Sequence, residues 1–102
     1  MNKKKQTILI VDDDEDILHL ISHALSSDFN VEIANEGREA LKLFEEFTID
    51  LLLTDVYMPS QDGLDLIRQI RKMDERTPII VMSGGKIDHN KEAFEYYKIN
   101  FN

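Results

Sequence analysis

Thr7-Ile8-Leu9-Ile10-Val11 runs directly into Asp12-Asp13-Asp14-Glu15-Asp16. Thr7 and the four apolar residues after it, without alternation, fit a strand buried on both faces, as in a parallel sheet. The abrupt change to five acids marks the end of that strand and the start of whatever follows it. Three further short runs read as strands: Val31–Ala34, Ile49–Thr54 and Pro78–Met82. Val31–Ala34 alternates, with Glu32 turned away, which suits an edge position. Helical periodicity fills the gaps. Ile17, Ile21, Ala24 and Leu25 form one stripe with Leu18 beside it. Ala40, Leu41, Phe44 and Phe47 form a second, and Leu64, Ile67, Ile70 and Met73 a third. Asp14, Asn35 and Asp62 are the expected helix starts, and Asp88–Lys98 is a weaker helical pattern carrying Ala93, Phe94 and Tyr97.

The order β-α-β-α-β-α-β-α, with no repeat, linker or low-complexity tract, predicts an α/β fold with helices on both faces of an open parallel sheet. The 102 residues give room for one domain. A formal net charge of -8 argues against direct binding to nucleic acid. Cysteine is absent, which excludes thiolate chemistry and Cys-based zinc sites. No stretch has the length of a membrane span or the pattern of a secretion signal, so the expectation is a cytoplasmic protein with no membrane association.

In sheets of this kind ligands bind beyond the carboxyl ends of the strands. The first strand exits at Asp12 and Asp13, the third at Asp55, and the fourth at Ser83-Gly84-Gly85. If the first and third strands are neighbours, three carboxylates converge and raise one another's pKa. A hard divalent cation relieves that repulsion, and Mg²⁺ takes one or two carboxylates, waters and a phosphate oxygen, with Mn²⁺ as an alternative. The arrangement suits phosphoryl transfer onto a carboxylate. Ser83, with two glycines behind it, offers a hydroxyl and accessible N–H groups to a phosphoryl oxygen. Asp14, Glu15 and Asp16 read instead as acids favouring a helix N-terminus, with Asp14 the N-cap. His19 and His23, four apart, have a spacing that can bind metal, but no third ligand is evident and they read as surface residues.

Ile8–Asp14, Thr54–Gly63 and Pro78–Gly85 together resemble the receiver domain of bacterial response regulators, over nearly the whole chain. The resemblance implies a flavodoxin-like, doubly wound sheet in the order 2-1-3-4. It implies Asp55 as phosphoacceptor, Mg²⁺ at Asp12, Asp13 and Asp55 with the main-chain carbonyl of Tyr57, and Ser83 as the switch hydroxyl. It further implies a histidine kinase or phosphotransfer protein as donor and a signalling module rather than an enzyme. The family's fifth strand, with its lysine, and fifth helix find no counterpart. Lys98-Ile99-Asn100-Phe101-Asn102 matches only the segment before that strand, so residues 1–102 read as a single, C-terminally incomplete receiver-like domain. Loss of the fifth strand would leave the fourth as an apolar edge, inviting a homodimer or an exchanged element. Two rival functions follow. One is a degenerate, non-switching receiver kept for dimerisation or kinase binding. The other is a phosphohydrolase resembling the haloacid dehalogenases, reading Asp12 and Asp14 as its Asp-x-Asp pair and leaving Asp55 unexplained.

Overall fold

Continuous apolar strands need cover on both faces, and the molecule supplies it with helices. The structure, a computed structural model, describes residues 4–55, 57–58 and 61–82. The elements are β1 (Thr7–Val11), α1 (Glu15–Leu25), β2 (Asn30–Ala34), α2 (Gly37–Glu46), β3 (Leu51–Thr54), β4 (Tyr57–Met58), β5 (Gln61–Asp62), α3 (Gly63–Met73) and β6 (Ile79–Val81). The main sheet is parallel in the order β2-β1-β3-β6, so the four sequence-predicted strands stand in the order 2-1-3-4. Registers are set by apolar pairs such as Ile8 with Leu51 and Val31, and Leu53 with Ile80. β4 and β5 form a small antiparallel hairpin that sequence periodicity did not indicate, because two-residue strands carry no pattern.

The pleat sorts β1 between two apolar layers. Leu9 and Val11 pack with Leu52, Ile79 and Val81 of the neighbouring strands and with Ala40, Leu66, Ile67 and Ile70 of α2 and α3. Ile8 and Ile10 face the other way, against Leu18, Ile21 and Leu25 of α1, with Val31, Ile33, Leu51, Leu53 and Met82 beside them. Burial of each such leucine or isoleucine is worth about 1.5–3 kcal/mol, so both layers contribute to the folded state.

The helix faces differ in detail from the sequence stripes. Leu18 is the residue of α1 that is fully buried, whereas Ile17 is 39% exposed and Ala24 faces solvent. Ile17 and Ala24 lie seven apart on the margin of the stripe, and the sheet meets the face centred on Leu18, Ile21 and Leu25. On α3 the buried set is Leu66, Ile67 and Ile70, while Met73 ends the helix exposed. Phe47 leaves α2 altogether: its backbone is extended, its N–H bonds the Leu43 carbonyl at 2.9 Å, and its ring is exposed. Asp14 caps α1 as expected, its side chain accepting from the Asp16 and Ile17 N–H groups. The N-cap of α2 is Glu36 rather than Asn35, and Asn35 instead donates its N–H to Glu39 Oε1 at 3.3 Å. The expected helix over Asp88–Lys98 and the segment in which the fifth strand was sought lie outside the described residues.

Candidate functional site

The sheet ladder continues one residue past each strand, and this aligns the site. The Asp12 N–H donates to the Ala34 carbonyl at 3.2 Å, Asp55 N–H to Val11 at 2.9 Å, and Met82 N–H to Thr54 at 2.9 Å. Asp12 and Asp55 are therefore held by backbone bonds on adjacent strands, while Met82 brings β6 to the same edge. Buried Thr54 adds a hydroxyl bond to the Asp55 carbonyl at 3.1 Å. A hydroxyl closing an otherwise apolar strand was the available signal for that role, and sequence reasoning did not use it.

Asp12, Asp13 and Asp55 each offer a carboxylate oxygen, and these atoms all lie within 4.8 Å of one another. Burial is graded across the three: Asp12 is 5% exposed, Asp55 half-buried and Asp13 open to solvent. The Asp12 carboxyl is pushed above the ordinary carboxylate range, first by desolvation. The charges of Asp55 and Asp13 push in the same direction, and the Asp14 N–H, donating to Asp12 Oδ1 at 2.9 Å, opposes them. Asp14 itself turns away: its Oδ1 accepts from Asp16 N–H at 3.0 Å and Ile17 N–H at 3.3 Å. The sequence run of five acids thus divides into Asp12 and Asp13, which face the pocket, Asp14, which caps α1, and Glu15 and Asp16, which lie in its first turn.

Three oxygen donors, one of them with a raised pKa, are of the kind that suits a hard cation keeping much of its own water. The residues present fit Mg²⁺ or Mn²⁺ on that ground. Tyr57 stands at the start of β4, two positions past Asp55. Ser83 lies outside the described residues, immediately after Met82. A cleft of about 310 Å³ lies beside this edge of the sheet, lined by Glu15, Leu18, His19, Ile33, Ala34, Asn35 and Glu39. A larger cleft of about 480 Å³, lined by Lys4, Lys5, Thr7 and Asp50 among others, lies at the opposite end of the sheet, away from the carboxylates. No helix among the described residues is long and apolar enough to cross a membrane.

Comparison with known proteins places this geometry. The family model of the response regulator receiver domain matches residues 8–101. The regulatory protein AtoC of Escherichia coli (strain K12) is 39% identical over 78 residues, covering 76% of this chain and 17% of AtoC. The transcriptional regulatory protein CpxR of the same organism is 40% identical over 91 residues, covering 86% of this chain and 37% of CpxR. The chain therefore spans between about a sixth and a little over a third of the length of these curated relatives. Among solved structures, the chemotaxis response regulator CheY4 of Vibrio cholerae superposes with a TM-score of 0.85 at 27% identity, over 96% of this chain and 84% of that one. The response regulator TrrA of Thermotoga maritima, solved in complex with Mg(2+)-BeF, gives 0.81 at 29% identity, over 94% and 83%. With the parallel sheet, its strand order and the carboxylates at the strand exits, these matches carry one conclusion: the chain belongs to the response regulator receiver domain family, the phosphoaccepting signalling modules of two-component systems.

Proposed function

We propose that Asp55 is the phosphoacceptor of this chain and that Asp12 and Asp13, with the main-chain carbonyl of Tyr57, hold a Mg²⁺ ion beside it. The observation that carries this reading is the convergence of three carboxylates within 4.8 Å at two adjacent strand exits. Half-exposed, Asp55 is open to an incoming phosphoryl group while its backbone is fixed by its N–H bond to the Val11 carbonyl. Its oxygen forms a bond to phosphorus as the phosphorus–nitrogen bond of a donor phosphohistidine breaks, and the electron pair leaves on the imidazole. Bound Mg²⁺ supplies charge neutralisation for the phosphoryl oxygens. The donor is a histidine kinase or phosphotransfer protein, and Ser83 accepts the role of the hydroxyl that meets the new aspartyl phosphate. TrrA, whose structure holds Mg(2+)-BeF, supports the same division of labour by likeness.

The haloacid-dehalogenase-like reading needs Asp14 in the pocket as an acid. Asp14 is engaged in capping α1, which counts against it. The test is intact-mass spectrometry after incubation with acetyl phosphate. One phosphoryl adduct is expected with Mg²⁺, and none in Asp55→Asn or after metal chelation. An adduct that persists in Asp55→Asn would sink the assignment. No adduct on folded wild-type protein would favour the degenerate, kinase-binding module.

A further inference from the structure

Phosphoryl acceptance leaves His19 and His23 without a role. Both stand on α1, and both are exposed. Residues four apart on a helix have Cβ atoms about 5–6 Å apart on one face, close enough for two imidazoles to share one cation, the spacing by which paired helical histidines hold zinc. The helix that presents them is regular. It runs for 11 residues from the Asp14 cap, and its last turn is tied by the Ser26 hydroxyl, which donates to the His23 carbonyl at 3.1 Å.

The surroundings favour a cation. His19 lines the cleft it shares with Glu15, Asn35 and Glu39, and among the described residues no lysine or arginine lines it. Two carboxylates near an imidazole raise the local concentration of divalent ions on a chain that already carries a formal charge of -8. Donor chemistry separates this place from the acidic pocket. Asp12, Asp13 and Asp55 offer oxygen alone, which suits Mg²⁺, whereas imidazole nitrogen suits Zn²⁺, Ni²⁺ and Cu²⁺.

We propose that His19 and His23 together chelate a borderline divalent cation of the Zn²⁺ class, with water completing its coordination, at a site separate from the carboxylate pocket. Bound there, the ion ties the last two turns of α1 and stabilises the folded chain by mass action. This inference does not depend on the acceptor role of Asp55. The test is a titration of the whole chain with ZnCl₂ in saturating MgCl₂, followed by calorimetry and by the ring-proton NMR signals of the histidines. The expected result is one equivalent of Zn²⁺ moving the signals of both His19 and His23. Replacing a group that merely supports a metal ligand costs about 10–100-fold in affinity, so His19→Ala and His23→Ala should each weaken binding by at least about tenfold. Asp55→Asn should leave Zn²⁺ affinity unchanged. Equal affinity in either histidine variant, movement of only one of the two imidazoles, or loss of Zn²⁺ binding in Asp55→Asn would overturn the proposal.

Discussion

Asp12 and Asp74 carry the same functional group at opposite ends of one parallel sheet, and their surroundings drive them in opposite directions. Asp12 follows β1, loses water to burial, and faces Asp55 and Asp13, so its carboxyl is raised above the ordinary value of 3.8. Asp74 precedes β6 in the turn after α3. Its carboxylate accepts from the Arg76 N–H at 2.7 Å, the Thr77 N–H at 3.3 Å and the Thr77 hydroxyl at 2.8 Å. Those bonds hold its pKa below 3.8, the Arg76 N–H contributing most. At Asp74 every bonded neighbour favours the charged form, and the group stabilises the fold. At Asp12 burial and like charges disfavour it, so its surroundings penalise the charged form. Groups perturbed in the second way cluster at functional sites.

The largest break in this comparison is expected from metal. With Mg²⁺ at a hundred times its dissociation constant, the wild type gains about 2.7 kcal/mol of unfolding free energy. Asp12→Asn should lose most of that gain, and Asp74→Asn should keep it. Urea denaturation with and without MgCl₂ measures both, and equal gains in all three proteins would remove the carboxylate pocket as the metal site.

The next effect belongs to Asp74. Asp74→Asn should destabilise the chain by about 1 kcal/mol, because two backbone N–H groups and the hydroxyl of buried Thr77 lose a charged acceptor. The wild-type advantage should be present in full above pH 3.8 and shrink as the pH falls through the lowered pKa of the folded state. An advantage that stays constant through acid would show that the turn does not need the charge.

The smallest effect is of opposite sign. In metal-free buffer Asp12→Asn should be more stable than the wild type, by about 0.5 kcal/mol. Because the folded state holds the Asp12 proton more tightly than the unfolded chain does, the wild type is relatively favoured below pH 3.8. That favour is lost as the pH rises through the raised folded-state pKa, so the gap between the two proteins widens toward neutral pH. A less stable Asp12→Asn at neutral pH without metal would mean that the carboxylate supports the pocket rather than straining it.

Much of this fold is written locally. The β1 run needed no partner to be recognised, since four consecutive apolar residues, Ile8–Val11, stopping at Asp12 fit neither a helix stripe nor a solvent-facing strand. The Asp14 cap was equally legible, because a capping side chain bonds N–H groups only two and three residues away. The candidate pocket was legible as strand exits, because parallel strands bring all their carboxyl ends to one edge.

What sequence alone determined, then, is the four strands of the main sheet, the three helices of the described residues and the acids that end the strands, for these follow from local periodicity and short-range bonding. Which apolar residues meet the core was decided by tertiary structure. Ile17 and Leu18 are neighbours of equal hydrophobic character, yet one is 39% exposed and the other 2%, because the sheet contacts one side of α1 and not its margin. The same holds among the acids. Asp12, Asp13 and Asp14 are alike in sequence, and only the pairing of β1 with β3 and the start of α1 separate a buried pocket group, an exposed one and a cap. Charge and burial are set by what lies across space, and that information enters only when the strands come together.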